Sequence, residues 1–243
     1  MQDQTQAILF DLDGTLIDTT DLILKCFHHS WERVLGFSHS RKALLQTFGT
    51  PLRDAMNRLL LTKDESNNEA APNSADPYIV DRLLTEYRAF NADNHDGLAR
   101  PFHGTAEVLS ELRRRGYLIG IVTSKTRELA LRGLRLCAID GLFHSGVFLE
   151  DTESHKPNPE PILAALKTLN TPSCSAVYVG DSAHDIVAAR AAGVRTVAAL
   201  WGPAPRAELE REQPDFIVES ITELLQIFNR RGPSYEDATK CQI

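Results

Sequence analysis

Two carboxylates two residues apart, Asp11 and Asp13, follow the apolar run Ala7-Ile8-Leu9-Phe10. Thr123 and Ser124 follow a second apolar run, Lys156 stands before Pro157, and Asp181 and Asp185 follow a third run. Side chains two apart leave the same face of an extended chain. Two carboxylates at ~4 Å repel by about 4 kcal/mol at an effective dielectric near 20, and Asp181 adds to that. Such a cluster demands a cation or a trapped proton. Oxygen donors with no His or Cys beside them in the sequence favour a hard ion, and Mg2+ is the natural choice. The ion would offset repulsion between a carboxylate nucleophile and a phosphate dianion. A carboxylate is ionised at neutral pH and needs no base to activate it; attack on phosphorus gives an aspartyl-phosphate that water later cleaves. The Thr123 hydroxyl and the N–H groups opening the next helix suit phosphoryl oxygens, Lys156 supplies a fixed positive charge for the same group, and Gly14 permits a tight turn close to a ligand.

These residues need a frame that brings them to one edge. Apolar runs at Ala7 to Phe10, Tyr117 to Thr123, Gly146 to Leu149, Ala176 to Val179, Thr196 to Leu200 and Phe216 to Val218 read as strands buried on both faces, the pattern of a parallel sheet. Helical patterns over 104–115, 126–137, 159–169 and 183–192 lie between them. Strand and helix alternate from 117 onward, which predicts an α/β sheet with right-handed crossovers. Ligands of such sheets bind beyond the carboxyl ends of the strands, where the polar sets stand. Residues 19–95 carry helical patterns only, so the expectation is an inserted helical domain. The predicted boundaries are 1–16 for the first strand, 17–96 for the helical insert and 97–229 for the rest of the sheet domain. A mobile loop is expected over 62–77 and a disordered tail over 230–243.

The chain has 243 residues, with 26 Lys and Arg against 33 Asp and Glu and a formal net charge of −7. No basic stripe for nucleic acid is visible, and Arg113-Arg114-Arg115 sits at a helix end where cations are favourable for dipole reasons alone. No apolar run approaches membrane-spanning length, the polar start Met1 to Gln6 is not a signal peptide, and four scattered cysteines fit reduced thiols. The expectation is a cytoplasmic protein, monomer or homodimer, with a small phosphorylated metabolite as its partner and no nucleic acid or membrane.

The run Phe10-Asp11-Leu12-Asp13-Gly14-Thr15-Leu16 resembles motif I of the haloacid dehalogenase-like hydrolase superfamily, and Val122-Thr123-Ser124, Lys156-Pro157 and Val179-Gly180-Asp181-Ser182-Ala183-His184-Asp185 resemble motifs II to IV, in order. The resemblance implies a Rossmann-like α/β core with a helical C1 cap that closes over the substrate, and a Mg2+-dependent phosphoric monoester hydrolase. It implies Asp11 as nucleophile and metal ligand. Asp13 would bind the metal through its carbonyl and act through its side chain as acid and base. Thr123 and Lys156 would hold the phosphoryl group, Asp181 would be a metal ligand and Asp185 an orienter behind it. Gly14, Ser124, Thr50 and Arg53 are candidates for substrate binding. Asp13 separates this chain from members that cleave C–halogen or C–P bonds, which lack it. Phe48-Gly49-Thr50-Pro51-Leu52, Gly120-Ile121-Val122-Thr123-Ser124-Lys125 and His155 to Pro161 are similar to the branch of phosphoglycolate phosphatases and small pyrophosphatases. A phosphomutase of the β-phosphoglucomutase type is the alternative; a phosphorylated receiver or a binding module fits less well, because the insert is long and every catalytic position is competent. Lys125 could reach substrate, but a charged residue at a helix start is more often just exposed, and Trp31 and Trp201 read as core.

Overall fold

The computed structural model describes residues 5–62 and 76–229. Most of the expected loop over 62–77 and the whole tail over 230–243 therefore lie outside the described residues.

Along the chain run β1 (Ala7–Phe10), β2 (Ile17–Asp18), α1 (Thr20–Leu35), α2 (Arg41–Leu45), α3 (Leu52–Leu61) and α4 (Pro77–Leu98). Then follow β3 (Arg100–Pro101), α5 (Thr105–Arg114), β4 (Leu118–Val122), α6 (Arg127–Leu136), β5 (Ser145–Val147), α7 (Glu160–Thr168) and β6 (Ala176–Gly180). The chain continues through α8 (Ala183–Ala191), β7 (Arg195–Ala199), α9 (Arg206–Arg211), β8 (Phe216–Val218) and α10 (Leu224–Ile227).

Contacts divide the chain into two units, Met1–Asp18 with Arg100–Ile243, and Thr19–Ala99. In the first, six strands form a parallel sheet in the order β5-β4-β1-β6-β7-β8. Each residue of β1 is fully buried, as a strand flanked on both edges and covered on both faces must be. The chain steps outward from β1 through β4 to β5, then returns to build β6, β7 and β8 on the other side. That reversal places the topological switch point at β1, between β4 and β6, where a crevice opens at the strands' carboxyl ends. One face packs Leu9, Val122 and Tyr178 against Ile162, Leu166, Ala188 and Ala189.

The second unit is helical throughout. Leu24, Phe27 and Trp31 recur at helical spacing on α1, and Val80, Leu83, Leu84 and Tyr87 do so on α4; both sets belong to one buried cluster. Asp76 caps α4 by accepting the Tyr78 N–H, and Pro77 fits the first helical position.

Two boundaries differ from those read in the sequence. Ile17 and Asp18 form β2, paired antiparallel with Arg100 and Pro101 of β3, so they are strand and not the start of the helices. At the other end α4 runs through Gly97 to Leu98, closed by the Ala99 N–H donating to the His95 carbonyl at 2.8 Å; a single glycine costs a helix only about 1 kcal/mol and does not end it. The short polar helix α9 carries too weak an apolar period to be read beforehand. No helix among the described residues is long and apolar enough to cross a membrane.

Candidate active site

The chain leaves β1 into a tight turn: the Leu16 and Ile17 N–H groups both donate to the Leu12 carbonyl, at 2.9 and 3.0 Å. Gly14 in this turn has φ +87°, and a Cβ there would lie 2.3 Å from Oδ2 of Asp181. Gly202, in the loop after β7, approaches the same side chain from another direction; its Cβ would lie 2.3 Å from that of Asp181. Only residues without side chains let the two segments close on this carboxylate. Thr15 Oγ1 donates to Asp181 Oδ1 at 2.7 Å, and the Trp201 indole N–H holds the Thr15 carbonyl at 2.8 Å.

Oxygens of Asp11, Asp181 and Asp185 lie within 4.8 Å of one another, and all three residues are buried. Lys156, 2 % exposed, reaches into this group. Its Nζ donates to Asp11 Oδ1 at 2.7 Å, to Asp185 Oδ1 at 2.6 Å and to the Tyr178 hydroxyl at 3.1 Å. Asp185 also takes the Ser182 N–H and hydroxyl on Oδ2, at 3.1 and 2.6 Å. Tyr178 Oη stands 3.2 Å from Asp185 Oδ1 and 3.1 Å from the Val122 carbonyl, so its single hydrogen serves one of the two.

The carboxylates diverge in character. Burial pushes Asp11 up to about 7, against the pull of Lys156 and with the help of Asp185. Burial likewise holds Asp181 well above the usual carboxylate range, reinforced by Asp11 and Asp185. Asp185 is as buried, yet Lys156 and Ser182 outweigh desolvation and lower it. Lys156 sits at similar distances from Asp11 and Asp185, so the ion pair alone does not separate them; the two Ser182 donors on Asp185 do. Lys156 itself is raised well above its ordinary value, because the two aspartates overcome the burial that works against its charge.

Asp13 turns to a second lysine, with Lys125 Nζ 2.6 Å from its Oδ1. The expectation of an exposed Lys125 is thereby corrected: its side chain is 12 % exposed and ion-paired. Four carboxyl groups thus face two ammonium groups, so acidic side chains outnumber basic ones by two. The all-oxygen donor set and the proton-retaining tendency of Asp11 and Asp181 fit a hard divalent cation.

The match to known proteins agrees with this arrangement. Residues 8–199 fit the model of the haloacid dehalogenase-like hydrolase family.

The chain belongs to the haloacid dehalogenase-like hydrolases. It is 41% identical over 221 residues to a protein of Caldanaerobacter subterraneus named "Putative pyrophosphatase PpaX", covering 91% of this chain and 93% of that one. It is 37% identical over 223 residues to the pyrophosphatase PpaX of Bacillus thuringiensis, covering 92% and 96%. A crystal structure described as a "predicted phosphoglycolate phosphatase" of Haemophilus somnus superposes with TM-score 0.82 over 93% of this chain and 99% of that one; at 22% identity it speaks for the fold alone.

In this haloacid dehalogenase-like hydrolase, Asp11 and Asp13 follow β1, Asp181 follows β6, Asp185 stands in the first turn of α8, and Lys156 comes from the loop before α7. Thr123 is buried at the end of β4, with its N–H on the Val147 carbonyl at 3.0 Å and its Oγ1 accepting the Lys125 N–H at 3.2 Å; Ser124 lies between them. Thr50 and Arg53 lie in the helical unit, where the Thr50 hydroxyl donates to the Thr47 carbonyl at 2.6 Å and Arg53 pairs with Asp81 at 2.7 Å. Nothing in the sequence marks Tyr178, Gly202 or Trp201 as site residues. Tyr178 reads as one more apolar residue of a buried strand. The Gly202 contact spans twenty-one positions and leaves no local pattern.

Proposed function

We propose that this hydrolase is a Mg2+-dependent phosphatase of small phosphorylated metabolites that works through a phosphoryl group carried on Asp11. The observation that carries the reading is the buried convergence of Asp11, Asp181 and Asp185 oxygens within 4.8 Å, with Lys156 seated beneath them.

An oxygen of Asp11 attacks phosphorus; the new O–P bond forms as the bond to the leaving oxygen breaks, and that oxygen takes the electron pair. Asp13 gives the leaving oxygen a proton and afterwards takes one from the water that attacks the aspartyl-phosphate, which returns Asp11. Thr123 and Lys156 hold the phosphoryl oxygens, and Gly14 and Ser124 line the approach. Asp185 keeps Lys156 charged and aimed. Asp11, the Asp13 carbonyl and Asp181 would hold Mg2+, which would supply positive charge for the approach of a carboxylate to a phosphate dianion. The helical unit Thr19–Ala99 acts as a cap that excludes water during turnover, with Thr50 and Arg53 as substrate contacts.

Phosphoglycolate is the first substrate the sequence suggests and pyrophosphate the second; identity to the PpaX proteins supports pyrophosphate. The absence of a spanning helix among the described residues is consistent with action in the cytoplasm. The test is phosphate release from a panel of phosphometabolites with and without Mg2+. Metal-dependent release from pyrophosphate or phosphoglycolate is the expected result. An isomerised sugar phosphate without net release would assign a mutase, and no turnover of any member would overturn the reading.

A further inference from the structure

Lys125 is the residue of this site whose placement the general chemistry leaves unexplained. Its backbone is pinned at both ends: the N–H donates to Thr123 Oγ1 at 3.2 Å, and the carbonyl accepts the Leu149 N–H at 3.0 Å. The side chain therefore leaves toward Asp13, where Nζ lies 2.6 Å from Oδ1. An ammonium has three N–H donors, and the described residues occupy one of them. The Lys125 side chain keeps 12 % exposure, so its other two donors can turn to whatever occupies the site beside Asp13. The Lys156 side chain, by contrast, is 1 % exposed and has its donors on Asp11, Asp185 and Tyr178. The two ammonium groups thus serve different carboxylates, one on the nucleophile and one on the residue that handles the leaving oxygen.

We propose that Lys125 is a specificity-determining residue that selects leaving groups carrying their own negative charge, namely a phosphate or a short carboxylate. The inference rests on the phosphatase reading above and deepens it. To receive a proton, the leaving oxygen must lie within hydrogen-bond reach of the Asp13 carboxyl. It then sits within about two hydrogen-bond lengths, ~6 Å, of Nζ. Anionic oxygens two or three bonds beyond it, as in pyrophosphate or phosphoglycolate, fall within reach of the two unassigned donors. The plain alcohol of an alkyl phosphate offers nothing at that position. In the transfer step the P–O bond breaks, its electron pair goes to the leaving oxygen with the Asp13 proton, and Lys125 stays charged throughout as a partner for the departing anion.

The test compares phosphoglycolate with ethyl phosphate, which has the same two-carbon frame without the carboxylate, and adds pyrophosphate. Wild type, Lys125→Met, Lys125→Gln and Lys125→Arg are assayed with Mg2+, and their melting temperatures are measured. The ratio of kcat/KM for phosphoglycolate or pyrophosphate to that for ethyl phosphate is expected to fall about tenfold to a hundredfold in the Met variant, the range of one charge-assisted hydrogen bond. The Gln variant gives the same fall should Met disturb folding, and Arg restores most of the ratio. Equal losses on all three substrates would overturn the inference and leave the phosphatase reading standing. No turnover of any substrate by wild type would overturn both.

Discussion

Lys156 Nζ binds one oxygen of Asp11, at 2.7 Å, and one oxygen of Asp185, at 2.6 Å, so a single buried ammonium holds the β1 carboxylate and the first turn of α8 together. Removing one partner of a buried ion pair leaves charge without compensation, at a cost of about 3–5 kcal/mol. Lys156→Met is therefore expected to lose that much stability in urea denaturation together with turnover. Lys156→Met combined with Asp185→Asn should recover part of the stability, because one orphaned carboxylate is gone, and none of the turnover. A double variant no more stable than Lys156→Met would contradict this coupling.

Gly202→Ala tests the cradle around Asp181. The added methyl would sit 2.3 Å from the Asp181 Cβ, so that side chain must move. The Mg2+ concentration for half-maximal activity is expected to rise about tenfold or more, and calorimetric Mg2+ affinity to fall with it, which is the usual scale for disturbing the support of a metal ligand. Unchanged affinity would mean that the loop yields and Asp181 stays.

Metal and pH are linked with a definite sign. In the unfolded chain, aspartates lose their protons near pH ~4. In the folded metal-free protein Asp11 keeps its proton to about 7, and Asp181 is also raised. Between those values the folded state binds more protons than the unfolded state, so stability falls as pH rises through that window. Asp185, lowered, works in the opposite sense: its contribution is present above the unfolded value and is lost on acidification. A divalent ion must displace the protons on Asp11 and Asp181, so its stabilisation grows with pH. At a hundredfold excess over Kd the gain is about 2.7 kcal/mol, or roughly 5–10 °C in Tm for a chain of this length. Thermal melts at pH 5 and pH 8 are expected to show the larger Mg2+ shift at pH 8; a larger shift at pH 5 would contradict the assignment.

Arg53 separates a cap contact from a surface pair. Its bond to Asp81 is exposed on both sides, so Arg53→Ala should change stability by less than about 1 kcal/mol. As a substrate contact it is expected to raise KM for a dianionic substrate such as phosphoglycolate well beyond any effect on p-nitrophenyl phosphate. Equal KM effects on the two would remove Arg53 from the site.

The sheet was readable because burial on both faces leaves an unambiguous signature: Ala7 to Phe10 and Ala176 to Val179 are apolar without alternation and end in aspartates. The polar ends of such runs mark Asp11, Thr123, Asp181 and Asp185, whereas Lys156 follows no apolar run and stands out by its place before the Pro-rich helix and its resemblance to motif III. What escaped the sequence depends on distance in space. A lysine at a helix start looks the same whether water or Asp13 surrounds it, so the role of Lys125 needed coordinates. Tyr178 hides among the apolar residues of β6, although its hydroxyl lies against Lys156. Gly202 matters only because Asp181 comes within a methyl's breadth of it.

The central claim is that Asp11 carries the phosphoryl group, and the most direct measurement is to find it there. Asp13→Asn keeps Asp11 but lacks the base that activates water for the second step. Mixed with Mg2+ and p-nitrophenyl phosphate, whose leaving group needs no proton, then quenched in acid and mapped by peptide mass spectrometry, it is expected to carry one phosphoryl group on residue 11, absent when Asp11 is also changed to Asn. Substrate consumed in a single turnover with no phosphoryl group on residue 11, or with the group on another side chain, would contradict the account.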